Sequence, residues 1–148
     1  MDIEVRLATA QDKPSLEEFY RREGFDFQEL SHRPAISSSG SVRETMYIIA
    51  VTVDMVVAAL KFDVIRDPDL GDIGHIFHFE IEDTLESTDL GQRMLNRAIE
   101  LAQEKGLRAL DAMVREERAD VISLLLDSEF NEMRKEVHLR RYFRQRIF

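Results

Sequence analysis

The sequence predicts an α/β domain built on a mixed, mostly antiparallel β-sheet flanked by helices on both faces. Two patterns carry that expectation. Three consecutive β-type runs between Met46 and Glu82 are separated only by short turns, which makes them antiparallel neighbours. A long amphipathic helix and another strand-like run follow, and a strand–helix–strand connection adds a parallel strand to the same sheet. The 148 residues and 44% apolar content suit a single domain (residues 1–148) with a real core, and no internal repeat is visible.

Taken in order, Ile3, Val5 and Leu7 alternate with Glu4 and Arg6, the pattern of a half-buried strand. A helix follows, with Thr9 or Asp12 as its start, Pro14 tolerated in the first turn, Leu16, Phe19 and Tyr20 on its apolar face, and Gly24 as its stop. Phe25, Phe27 and Leu30 read as a further short helix or turn. Residues Ser31–Ser41, with Pro34, Gly40 and five serines, read as a loop. Met46–Val53 and Val56–Ile65 form a predicted hairpin closed at Asp54-Met55. Asp67–Gly71 is a turn and Ile73–Glu82 the next strand.

Leu90–Lys105 gives the clearest helical signal. Leu90, Met94, Ala98 and Ala102 recur at helical spacing beside Leu95 and Ile99, and Gly106 ends the run. A strand over Leu107–Val114 comes next. A helix then opens at Glu116-Glu117, whose charge suits its N-terminal end, and runs through Ile122–Leu126. Val137, Leu139 and Phe143 mark a final strand.

Composition excludes several classes of function. No apolar run approaches the roughly 18–20 residues that span a bilayer, and the N-terminus lacks a signal-peptide plan. With no cysteine there is no disulfide, no thiol nucleophile and no cysteine-ligated zinc, so a cytoplasmic protein is expected. A net charge of −9 argues against nucleic-acid binding. The charge is uneven, however. From Arg134 to Phe148 six basic residues face one Glu136, a net of +5, leaving −14 on the rest. A basic terminal strand lying on an acidic body or on a partner subunit is the simplest reading, and it is compatible with a homodimer.

The run IFHFEIED (residues 76–83) followed by LESTDLGQRMLNRAIELAQEKGLRAL resembles the central region of the GNAT N-acyltransferases. There a strand leads into a turn of pattern Arg/Gln-x-x-Gly-x-Gly/Ala that opens a long helix. The opening IEVRLATAQDKPSLEEFYRREGF, the hairpin YIIAVTVDMVVAAL and the late ADVISLLLDSEF resemble other parts of that family, so the likeness in element order covers nearly the whole chain. It implies transfer of an acetyl group from acetyl-CoA to an amine by direct attack, without a metal. Glycines and helix-start amides would hold the pyrophosphate. The matching residues are Ile81 and Glu82 at the strand end, then Ser87, Thr88, Leu90, Gly91 and Gln92.

Two positions depart from the pattern. Glu86 stands where a basic or amide residue is usual, and Asp89 replaces the middle glycine. Asp89 with Gln92 three residues later reads as a capping box, in which the protein's own carboxylate occupies the helix amides. That arrangement points to an alternative: a GNAT-like binding, regulatory or assembly module without efficient acetyl-CoA use. The resemblance places a general base at His75, with Glu80 as a weaker candidate. On a regular strand His78 and Glu80 face away from His75, and a bulge would change that parity. The same parity separates His75 from His78 as metal ligands. The family's usual thiolate-protonating tyrosine falls at Leu125, and its helix-ending glycine at Glu129.

Overall fold

The computed structural model describes residues 2–25, 42–53, 55–85 and 88–144. The expected second short helix at Phe27 and Leu30 and the loop Ser31–Ser41 lie outside these residues. Strand β1 (Glu4–Leu7) pairs antiparallel with β2 (Val42–Thr52), β2 with β3 (Met55–Asp67), and β3 with β4 (Gly71–Ile81). Strand β5 (Leu110–Ala112) runs parallel to β4, giving the order β1-β2-β3-β4-β5. Helix α1 (Lys13–Arg22) follows β1, α2 (Leu90–Glu104) crosses from β4 to β5, and α3 (Ala119–Asp127) follows β5.

The two faces of the sheet bury different clusters. On one, Ile48, Leu60, Phe62 and Ile76 meet Leu90, Met94, Leu95, Ala98 and Leu101 of α2 and Val121 and Leu125 of α3. On the other, Ile49, Val56 and Ala59 meet Leu16, Phe19 and Tyr20 of α1. The helical spacing of those α2 and α1 residues is therefore read correctly from the sequence. Gly74 lets β3, β4 and β5 pack closely, because a Cβ there would lie 2.8 Å from Phe62 Cζ and 3.0 Å from Leu110 Cδ1.

The three described α-helices end in the same way. After α1, Gly24 N–H bonds Arg21 and Phe25 N–H bonds the Tyr20 carbonyl; after α2, Gly106 and Leu107 bond Gln103 and Ala102. After α3, Glu129 and Phe130 bond Leu126 and Leu125. This closure needs a left-handed residue, and φ is +90° at Gly24, +67° at Gly106 and +70° at Glu129. Glutamate thus occupies a conformation that suits glycine.

Four expectations are corrected. Thr52 pairs with Met55, so Met55 belongs to β3 and not to the hairpin turn expected at Asp54-Met55. Strand β5 is shorter than Leu107–Val114 because Leu107 is spent closing α2. Helix α3 starts at Ala119, not at Glu116-Glu117, because Arg118 N–H bonds Arg115 in a preceding turn. The final strand at Val137, Leu139 and Phe143 does not form, and residues 131–144 carry no helix or strand.

Candidate active site

The site is set by an irregularity in β4. Asp63 of β3 faces His75 and Lys61 faces Phe77, but Ala59 faces Glu80, so His78 and Phe79 together stand opposite Leu60. His78 takes up the extra residue with φ +49°, a left-handed conformation that costs of order 1–2 kcal/mol outside glycine. Packing holds it there. The Tyr20 hydroxyl donates to the His78 carbonyl at 2.9 Å, and Phe25 and Phe77 lie 5.8 and 6.1 Å from the imidazole. Burial pushes the Tyr20 phenol well above its usual range, so it stays protonated as a donor.

The bulge reverses the strand's parity. Ile76, Phe79 and Ile81 point to the α2 face, while Phe77 packs with Ile65 and Ile73 on the other. His75, ring to ring with Phe77 at 5.5 Å, shares that second face, and by alternation between Phe79 and Ile81 so does Glu80. Regular parity would have placed His78 and Glu80 opposite His75; the structure gathers all three.

His75 and Glu80 differ in what surrounds them. His75 is 5% exposed and belongs to a polar row across four strands, Thr45–Asp63–His75–Asp111, fixed by the registers of the sheet. Thr45 Oγ1 donates to Asp63 Oδ1 at 2.7 Å, Lys61 Nζ lies 3.7 Å from Asp63 Oδ2, and His75 Nε2 lies 3.4 Å from Asp111 Oδ2. His75 Nδ1 has no partner among the described residues. This row lies where β4 and β5 are still paired. Pairing stops at Ile76, whose carbonyl accepts from Met113 N–H, and beyond it no described strand runs beside β4 on the β5 side.

Glu80 sits on that open stretch. Both of its carboxylate oxygens accept from Arg118 Nη1, each at 3.0 Å, with the Glu80 and Arg118 side chains 18% and 27% exposed. Burial pushes the Glu80 carboxyl above its usual range, and Arg118 only partly offsets this. Glu23 at the end of α1 is also raised, first by burial and then by the charges of Glu80, Asp83 and Glu82. A cleft of about 320 Å³ lined by Phe19, Arg22, Glu23, Glu82, Asp83 and Thr84 opens here. Four carboxylates thus crowd one region between α1 and the end of β4.

The turn into α2 differs from its expected form. Asp89 is the residue before α2, but its side chain makes no capping bond, so the capping box with Gln92 is not formed. Thr88 Oγ1 instead accepts from Leu90 N–H at 3.3 Å and donates to the Leu85 carbonyl at 2.6 Å. Asp89 has φ −78° and ψ 5°, not the extended backbone of a capping residue, and its carboxylate leaves the Gly91 and Gln92 amides uncapped. Gln92 turns sideways to Asn96 and Ser128, and Arg93 donates to the Ile3 carbonyl. Gly91 is buried, and a Cβ there would lie 3.2 Å from Leu124 and 3.3 Å from Ile81, so glycine lets α2 press against β4 and α3. The Glu82 amide extends the β3 ladder by bonding Val57. Ser87 and Glu86 lie outside the described residues.

Leu125, at the expected tyrosine position, is buried in the α2-side core. Among the described residues no group of three or more His, Asp or Glu is placed to hold a metal, and no helix is long and apolar enough to cross a membrane. Sequence reasoning missed Arg118, Tyr20, Glu23 and the row through Asp63 and Asp111. Only Asp63 left a signal, as a charge inside an apolar run.

No protein-family model matches the chain, and no curated protein sequence does. Solved structures do. A transcriptional regulator from Bacillus halodurans C-125 is 14% identical, with 94% of this chain and 99% of that one covered at a TM-score of 0.73. Ribosomal-protein-alanine N-acetyltransferase from Brucella melitensis biovar Abortus 2308 is 13% identical over 96% and 100%, at 0.73. The aminoglycoside N-acetyltransferase AAC(6')-Iy in complex with CoA is 10% identical over 95% of each chain, at 0.74. The chain has the α/β fold of the GNAT acetyltransferases.

Proposed function

We propose that the protein is an acyl-CoA-dependent N-acetyltransferase that transfers an acetyl group to a cationic amine by direct attack. One observation carries this reading: β4 parts from β5 after Ile76, just before the His78 bulge, and with no described strand beside it there leads toward the N-terminus of a fifteen-residue helix. An open strand edge can pair with the amide-bearing arm of CoA, and a helix start attracts its diphosphate. Asp89 does not cap those amides. The backbone of residues 79–82 would hold the arm, and residues 87–92 the diphosphate. That one structural neighbour, the aminoglycoside N-acetyltransferase AAC(6')-Iy, is in complex with CoA supports the same assignment.

Acetyl-CoA supplies an activated carbonyl, and its thiolate would leave and take its proton from water; the chain supplies the base and the positioning groups. Glu80 is the base that best fits the geometry, since it lies beyond the parting of the strands and its carboxylate is made more basic by burial. Arg118 orients it, and each oxygen keeps lone pairs for the ammonium proton. His75, further back along β4, is a second base candidate held by Asp111. The carboxylates Glu23, Glu82 and Asp83 favour a positively charged acceptor.

Calorimetric titration with CoA and acetyl-CoA tests the reading directly. Micromolar binding is expected, and Glu80→Gln should keep that affinity while turnover of a test polyamine falls about 100-fold or more. Absence of heat at millimolar CoA defeats the proposal. It would leave the alternative, a GNAT-like binding or assembly module, which the buried Leu125 in place of a tyrosine favours.

A further inference from the structure

We infer that Arg118 is a catalytic residue for the proposed transfer, its Nη2 hydrogens holding the CoA thiolate as it leaves. This rests on the acetyl-transfer reading above and adds to it a group for the leaving side of the reaction.

Arg118 bridges the opening in the sheet. It stands at the head of α3, after β5 has left β4, while Glu80 lies on β4 beyond Ile76, where that pairing stops. Their ion pair therefore crosses the gap between the parted strands. Of the guanidinium nitrogens, Nε donates to Asp120 at 3.4 Å and Nη1 to both Glu80 oxygens at 3.0 Å. Nη2 donates to nothing among the described residues, and the side chain is 27% exposed. A pair of donors is thus available where the arm of CoA would enter. Its charge is secure. Burial works against it, but Glu80 and then Asp120 more than offset that and raise the guanidinium pKa.

The chemistry calls for such a group. As the acceptor nitrogen bonds the acetyl carbon, the carbon–sulfur bond breaks and its electron pair stays on sulfur. The acceptor ammonium gives up one proton to Glu80 before attack, and the new amide nitrogen gives a second to water; water then protonates the thiolate. A thiolate that develops in a half-buried gap is stabilised by a preorganised, charged donor.

The pairing with Glu80 also sets the timing. An ionised Glu80 neutralises Arg118. Once Glu80 has taken the ammonium proton, that carboxyl no longer opposes the guanidinium charge, just as the thiolate forms. The contact is therefore stronger in the transition state than in the ground state, the condition for accelerating a step.

The test needs no acceptor. The chain has no cysteine, so in its complex with CoA the coenzyme carries the only thiol. The pH at which that thiol ionises is read from thiolate ultraviolet absorbance, with CoA affinity measured by calorimetry. Arg118→Gln should raise the midpoint by about one pH unit or more, and Glu80→Gln, which removes the counter-charge, should lower it by about as much. Arg118→Lys keeps the charge and should stay near the wild type. Equal midpoints in wild type and Arg118→Gln, both binding CoA, would overturn the inference and leave the acetyl-transfer reading standing. So would a Glu80→Gln midpoint no lower than wild type, or loss of CoA binding in Arg118→Gln, which would make Arg118 a ground-state anchor. A wild-type protein that binds no CoA would defeat the acetyl-transfer reading first, and this inference with it.

Discussion

Asp89→Asn separates the two roles that a carboxylate at the head of α2 could play. Because Asp89 makes no side-chain capping bond, replacing it removes no hydrogen bond. What it loses is a charge at the positive end of a fifteen-residue helix, worth about 0.3–1 kcal/mol. Stability should therefore fall by that amount, and the melting temperature by about 1–4 °C for a chain of this length. The effect on CoA has the opposite sign. A single charge about 4–6 Å from a phosphate repels it by about 0.7–1 kcal/mol in water-like surroundings, and the two phosphates together by about 1–2 kcal/mol. CoA affinity should rise roughly 5- to 30-fold, read by calorimetry beside a thermal melt. A variant less stable but no better at binding CoA would show that the diphosphate does not sit on this helix start. A loss well above 1 kcal/mol would show that Asp89 caps the helix after all.

Other consequences follow from the geometry. Glu129→Gly should stabilise the fold by about 1 kcal/mol, since φ +70° costs glutamate and not glycine, while Glu129→Ala should not; denaturant melts of the three proteins decide it. Gly74→Ala should cost about 1–3 kcal/mol, because its Cβ would press on Phe62 and Leu110 from 2.8 and 3.0 Å; an unchanged midpoint would mean the strands separate freely there. Asp12 accepts from both Arg6 nitrogens at 2.7 and 2.9 Å and from Thr9 N–H at 2.7 Å, and its hydrogen bond from Arg6 holds its carboxyl far below the usual range. Its folded value is depressed, so its contribution is complete above the unfolded carboxylate value and is lost as pH falls below that. Asp12→Asn should therefore cost about 1 kcal/mol near neutrality and progressively less below about pH 4, measured as the gap between urea midpoints.

Most of the fold was legible because its signals are local and redundant. The apolar spacing of Leu90, Met94, Leu95 and Ala98 and the closing Gly106 each specify the same helix, and the structure starts it at Leu90 and closes it after Lys105. Where the sequence misled, a local preference lost to the backbone around it. Glu116 and Glu117 suit a helix start, yet the Arg118 amide bonds the Arg115 carbonyl in a turn of its own and the helix begins only at Ala119. Asp89 suits a cap, yet its backbone, at φ −78° and ψ 5°, is not the extended form a capping side chain needs. The alternation at Val137–Phe143 did not become a strand, since residues 131–144 carry none. Periodicity reports what kind of surface a segment suits, and it does not say whether the fold provides one.

The site was hidden by a single residue of register. Reading alternation along β4 puts His75 on one face and Glu80 on the other, and nothing in FHFEI announces that His78 will be inserted. The insertion is decided by groups far away in the chain: Tyr20, whose hydroxyl needs an acceptor when buried, finds it in the His78 carbonyl 58 residues on. Once that carbonyl is turned toward α1, the strand beyond it is rotated by one position, Glu80 swings onto the α1 side, and Arg118 and Glu23 become its electrostatic neighbours. Residue type nominated His75 and Glu80 as candidates, and the backbone decides which of them faces the open part of β4. Removing the anchoring hydroxyl should accordingly act on Glu80 without touching it. In Tyr20→Phe the His78 carbonyl loses its donor, the bulge loses part of what offsets its strain, and the geometry at Glu80 loosens before the core does.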